Sequence, residues 1–145
     1  MGWLNSLAGN IVALDAAPLI YFIERKPGFH GLVRPFFEAL RQGDFEVVTS
    51  SITVTEVLVH PLKNGNAALA DEFRELFLET NHFRTISVTP QIAEIAAKLR
   101  AEHGIRTPDA LHMATAIRCD AKFLLTNDGD FPDLPGLKVL QVSDL

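Results

Sequence analysis

Apolar residues in this chain fall into short, β-branched runs that alternate with longer stretches of helical period. The runs are Ile11 to Asp15, Glu46 to Thr49, Arg84 to Val88, Lys122 to Thr126 and Lys138 to Val142. Between them Ala67, Ala70, Phe73, Leu76 and Phe77 recur at helical spacing, as do Ile92, Ile95, Ala96 and Leu99. Each of these two helices therefore has one face to bury. Strands alternating with helices predict βαβ units and an α/β fold with a mainly parallel, five-stranded sheet.

Local signals place the boundaries. Thr89-Pro90 and Thr107-Pro108 each offer a capping hydroxyl followed by a proline at the first helical position, where its missing amide costs nothing. Gly104 marks a helix end, and Lys63 to Asn66 reads as a surface turn. A further helix is expected from about Pro18, and another from the hydroxyl-rich Ser50 to Thr55 as far as His60-Pro61.

Composition narrows the class. At 145 residues, without repeats or low-complexity segments, the whole chain (1–145) is expected to be one domain. The single Cys119 excludes an internal disulfide framework and fits a packed thiol in a reducing cytoplasm. Asp15 and Glu24 interrupt the apolar N-terminal run, so nothing reaches the roughly 18 apolar residues of a membrane helix. No Lys or Arg precedes that run, which argues against a secretory signal. The chain is therefore expected to be cytoplasmic.

Four acids stand where predicted strands end or helices begin: Asp15, Glu56, Asp109 and Asp128. Each has a plain explanation when taken alone. Asp15 caps a following helix, Glu56 and Asp109 answer helix dipoles, and Asp128 with Gly129 and Asp130 builds a turn. Taken together they would repel one another at one sheet edge unless a cation compensates. A cluster of hard oxygen ligands suits Mg²⁺ or Mn²⁺, which activate water and stabilise the leaving oxygen at a phosphodiester. The formal net charge is −5, but setting the four acids aside leaves 13 basic residues against 14 acidic, so charge does not exclude a nucleic-acid partner.

The segments ALDAAPLIYFIE, SSITVTEVL, GIRTPDALHMATAI and FLLTNDGDF resemble, in order and spacing, the four conserved blocks of PIN-domain ribonucleases, especially the VapC-type toxins of bacterial toxin–antitoxin pairs. The resemblance spans nearly the full chain. It implies a three-layer α/β/α fold, Mg²⁺- or Mn²⁺-dependent cleavage of RNA, a cognate antitoxin as partner and a homodimer. Asp15, Glu56, Asp109 and Asp128 match the family's acids, Asp130 its less regular second acid, and Thr126 a hydroxyl that orients the site. Two features depart from it. Ala16 and Ala17 stand where members commonly carry Thr or Ser, and Met1 to Asn10 precedes the usual start of the domain. The Ala pair keeps open a non-catalytic PIN-like module that binds RNA or protein.

Other classes fit less well. A receiver domain expects paired acids at the first strand and a Lys at the end of a late strand, and a haloacid-dehalogenase-like phosphatase wants a second Asp where Ala17 stands. His112, three positions after Asp109, is read as a packing residue on an apolar helix, with a general-base role as the lesser alternative. Arg25, Lys26 and Arg106 lie nearest the site segments and are the basic residues best placed to meet a phosphate. Trp3 and the run Phe29 to Phe37 suit either core packing or an interface.

Overall fold

A computed structural model describes residues 2–145; Met1 lies outside the described residues. The first helix, α1 (Gly2–Leu7), leads into β1 (Ile11–Leu14), α2 (Ala16–Ile23), α3 (His30–Arg41), β2 (Glu46–Ser50) and α4 (Ser51–Lys63). The second half runs α5 (Ala67–Glu79), β3 (Phe83–Ile86), α6 (Pro90–His103), α7 (Thr107–Arg118), β4 (Phe123–Thr126), β5 (Lys138–Gln141) and a 3₁₀ turn at Val142–Asp144. The strands form one sheet in the order β3-β2-β1-β4-β5, and every pairing is parallel.

Side chains of successive strand residues point to opposite faces, and they build two cores. Val12, Leu14, Val47 and Leu125 join Leu19, Val33, Phe36, Leu40 and Phe73 on one face, under α2, α3 and α5. Ala13, Val48 and Leu124 join Ile92, Ala96, Leu99, Ala110, Met113 and Ala114 on the other, under α6 and α7. The result is the expected three-layer α/β/α arrangement. Phe36 and Phe37 resolve as core residues, with Phe29 and Trp3 packed against the same cluster. The segment ahead of β1 folds back as α1, with Leu7 fully buried and the Gly9 amide bonded to Asp44 O at 2.8 Å.

Strand ends shift by a residue or two from the sequence reading, and four boundaries have a visible cause. Helix α2 starts at Ala16, two residues before Pro18, because Asp15 accepts the Ala17 amide and caps it. β3 stops at Ile86, since its partner strand ends at Ser50; the Val88 amide turns instead to Ser51 Oγ at 3.2 Å. α4 continues through the buried Pro61 to Lys63, and the Asn66 amide closes its end on Pro61 O. Thr107 does not cap α7. It lies inside the helix, and the cap residue is Arg106, whose carbonyl accepts the Ala110 amide at 2.9 Å. Thr89 caps α6 as expected, through the Ile92 amide.

The order of strands decides where a site can form. β1 is central; the chain leaves it toward β2 on one side and returns as β4 on the other. The crevice beyond the carboxyl ends of β1 and β4 is thus the point where the winding reverses, the usual ligand position in open parallel sheets. Behind that crevice, Thr49 Oγ1 donates to Leu14 O at 2.8 Å and lies 2.7 Å from Thr53 Oγ1, tying β1, β2 and α4 together in a buried setting. Replacing Thr49 by Val leaves the Thr53 hydroxyl and the carbonyl without that partner. Urea unfolding is expected to show a stability loss of about 1–3 kcal/mol at unchanged slope.

Candidate active site at the sheet switch point

Asp15, Glu56, Asp109 and Asp128 line one cleft of about 330 Å³, together with Ala16, Ala17, Ile20, Arg106, His112 and Asn127. Each acid arrives from a different element. Asp15 follows the last residue of β1, Glu56 projects from the second turn of α4, Asp109 from the first turn of α7, and Asp128 from the loop after β4. The sequence-predicted quartet therefore shares one rim. Asp130 does not line the cleft; it is exposed, and its backbone amide donates to Asp128 Oδ1 at 2.9 Å.

Every acid in the cleft has a specific partner. Leu14 pairs with Leu125, so Asp15 and Thr126 come level at the ends of adjacent strands, and the buried Thr126 hydroxyl donates to Asp15 Oδ2. Thr126 in turn accepts the Asp128 amide at 3.1 Å. His112 Nε2 donates to Glu56 Oε1 at 2.7 Å, joining α7 to α4. Arg106 reaches both oxygens of Asp109, at 3.3 and 3.4 Å, and Asp128 Oδ2 at 3.4 Å. The loop carrying Asp128 is pinned from outside by Gln141 Nε2 on Asp128 O and by Asn127, which bonds Tyr21 Oη and the Ser143 amide.

His112 is the residue sequence reasoning undervalued. It is as buried as a packing residue should be, 3% exposed, yet its ring faces the cleft and holds Glu56. Its spacing of three from Asp109 on one helix was the available signal. Its Nδ1 is buried with no hydrogen-bond partner among the described residues. Arg106 is in the cleft, as its position beside Asp109 in the sequence allowed, whereas Lys26 pairs with Glu24 at 3.1 Å.

The donor set fits a hard divalent cation: carboxylate oxygens predominate and no thiol lines the cleft. The side chains as they stand are committed elsewhere. Among the described residues, no group of three or more His, Cys, Asp or Glu side chains is placed to hold a metal ion. Arg106, bonded to both Asp109 and Asp128, already supplies a cation between two of these acids. Asp15, Glu56, Asp109 and Asp128 would hold such an ion only after Arg106, at least, gives way.

Burial dominates the electrostatics. It lifts the Asp15 carboxyl from 3.8 to about 6, against the Thr126 hydrogen bond, the His112 ring and the Ala17 amide, which favour the charged form. Asp109 is also raised, first by burial and then by the charge of Asp128, with Arg106 opposing. A carboxyl whose folded value exceeds its unfolded value is neutral in both states at low pH and costs stability once ionised. That cost should appear as pH rises from about 4 through about 6 and stay constant above. Asp15→Asn, which is neutral throughout, should therefore melt above the metal-free wild type at pH 8, by on the order of 3 kcal/mol. The gap should close by pH 4 in paired thermal melts across that range.

The sequence model of the PIN domain matches residues 12–137. No curated protein matches the chain at a significant level. A toxin–antitoxin complex from Klebsiella pneumoniae superposes with a TM-score of 0.66 at 26% identity, covering 87% of this chain and 94% of that one. VapBC2 from Rickettsia felis, bound to a DNA fragment from its promoter, gives 0.69 at 23% identity over 90% of this chain and 98% of that one. The Mycobacterium tuberculosis toxin VapC20, described as cleaving the sarcin-ricin loop, gives 0.69 at 17% identity over 82% and 91%. Likeness at these last identities speaks to the fold, and the sheet order and the matched residues agree with it. The chain belongs to the PIN-domain family, with the fold of its VapC-type members.

Proposed function

We propose that this protein is a Mg²⁺- or Mn²⁺-dependent endoribonuclease and the toxin of a toxin–antitoxin pair. The observation that carries the reading is the arrival of Asp15, Glu56, Asp109 and Asp128 from four separate elements at one cleft on the sheet's switch point. The relatives named as toxin–antitoxin or VapBC complexes, and the toxin named for cleaving the sarcin-ricin loop, support it. On this reading the partners are RNA as substrate and a cognate antitoxin, with a homodimer as the assembled form. Among the described residues no helix is long and apolar enough to cross a membrane.

The bound cation would supply activation of water and stabilisation of charge on the scissile phosphate. The chain's own residues divide the remaining work. Asp15, Glu56, Asp109 and Asp128 would hold the ion, Thr126 orients Asp15, and His112 orients Glu56. A single strand or a loop, whose backbone can bend toward the four acids, suits this cleft better than a stiff duplex.

One observation favours a second reading. Ala16 and Ala17 line the cleft where a hydroxyl would stand, which suits a PIN-like module that binds RNA or protein without cutting it. Two measurements separate the readings. Labelled RNA with Mg²⁺ or Mn²⁺ should be cut by the wild type and spared in EDTA. Asp15→Asn should lose on the order of 100-fold or more of the rate, since even outer-shell changes cost 10–100-fold. Equal cutting by Asp15→Asn would mark a contaminant and end the nuclease assignment. Calorimetric titration with Mn²⁺ should show binding below millimolar concentration; a wild type that binds none would favour the non-catalytic module.

A further inference from the structure

The one Arg or Lys among the described residues lining the acidic cleft is Arg106. Its backbone is fixed as the cap of α7, immediately ahead of Thr107 and Pro108, while its side chain is 69% exposed. The guanidinium spans two acids from different segments, Asp109 on α7 and Asp128 after β4. All three contacts, at 3.3 to 3.4 Å, sit at the long end of the hydrogen-bond range, where a committed bidentate pair would close to about 2.7–2.9 Å. This is an anchored cation resting loosely between two proposed metal ligands.

We infer that Arg106 is an exchangeable counter-cation: it neutralises Asp109 and Asp128 in the metal-free protein, yields them to the divalent ion, and then takes a phosphate of the RNA. The inference rests on the nuclease reading and assigns Arg106 a substrate-binding role within it. Three observations lead there. The guanidinium bridges Asp109 and Asp128 where an ion shared by the two would have to sit, and no group of three or more His, Cys, Asp or Glu side chains is placed to hold a metal among the described residues. The guanidinium stays charged at any working pH, so once displaced it remains a cation in need of an anion. Its anchored backbone keeps it at the cleft mouth, and its planar fork matches two phosphate oxygens.

Exchange links the two ligands. Arg106 weakens the site for the bare ion and strengthens it for RNA once the ion is bound, and by reciprocity the ion makes Arg106 available to RNA. An ordinary surface ion pair predicts no such dependence, and an ordinary phosphate contact would assist RNA equally with and without metal.

The test compares wild type, Arg106→Gln and Arg106→Lys. In Mn²⁺ calorimetry Arg106→Gln should bind about 3–10-fold more tightly than wild type, the effect of removing a unit charge a few ångströms away in a solvated cleft. Arg106→Lys, which keeps the charge, should stay near wild type. Labelled single-stranded RNA is then titrated by anisotropy in EDTA and in Ca²⁺. Arg106→Gln should match wild type in EDTA. In Ca²⁺ it should bind RNA about 5–10-fold more weakly, with a salt slope shallower by about one. Arg106→Lys should lose part of the RNA affinity in Ca²⁺ through loss of the fork. Unchanged or weaker Mn²⁺ binding by Arg106→Gln overturns the inference, as does an RNA loss equal in EDTA and Ca²⁺. If all three proteins fail to bind Mn²⁺ at millimolar concentration, the nuclease reading falls with it; if they bind Mn²⁺ equally, the inference alone falls.

Discussion

Carboxylates gathered at the carboxyl edge of a parallel sheet lose hydration and repel one another, and much of the surrounding structure answers that cost. Asp15 bears the heaviest share, being buried at the end of the central strand. Its charge is met by a hydroxyl from the neighbouring strand and by an amide of the helix it caps. Glu56 is met by a histidine from the opposite layer, and Asp109 and Asp128 by one arginine. Each compensating group comes from an element other than the one carrying its acid, Arg106 and Asp109 excepted. The site is consequently a property of the assembled sheet and not of any segment.

The same dependence explains how the layers are stitched. The Thr49–Thr53 pair and the Leu14 carbonyl join three elements directly behind Asp15. Gln141 and Ser143, just beyond or at the end of edge strand β5, hold the loop of Asp128 from the far side. Hydroxyls and amides thus brace the acids from behind, while the apolar cores on both faces set the distance between layers.

Much of the architecture was legible in the sequence because strand and helix periods are local properties. The β-branched runs, the Thr89 cap and the stop at Gly104 all sit where short-range rules put them. The misplaced boundaries share a cause, since each was settled by a partner remote in sequence or by a competing cap. β3 ends where β2 ceases to pair, and α7 is capped by the Arg106 backbone in place of the Thr107 hydroxyl. The acids were legible because strand ends and helix starts fall on the sheet's carboxyl edge. The direction of side chains across elements was not, so the reach of the packed His112 to Glu56, and the absence of Asp130 from the cleft lining, could not be read from spacing.

The buried Nδ1 of His112 has a consequence for how this sequence can drift. A nitrogen shut away from water without a partner lowers stability, by roughly 1–3 kcal/mol in ordinary cores. A phenylalanine or leucine there would remove that burden and release Glu56 at the same time. One side chain there carries both a buried, unpaired nitrogen and the hold on Glu56, so a stabilised redesign that replaced it would relieve the first only by giving up the second.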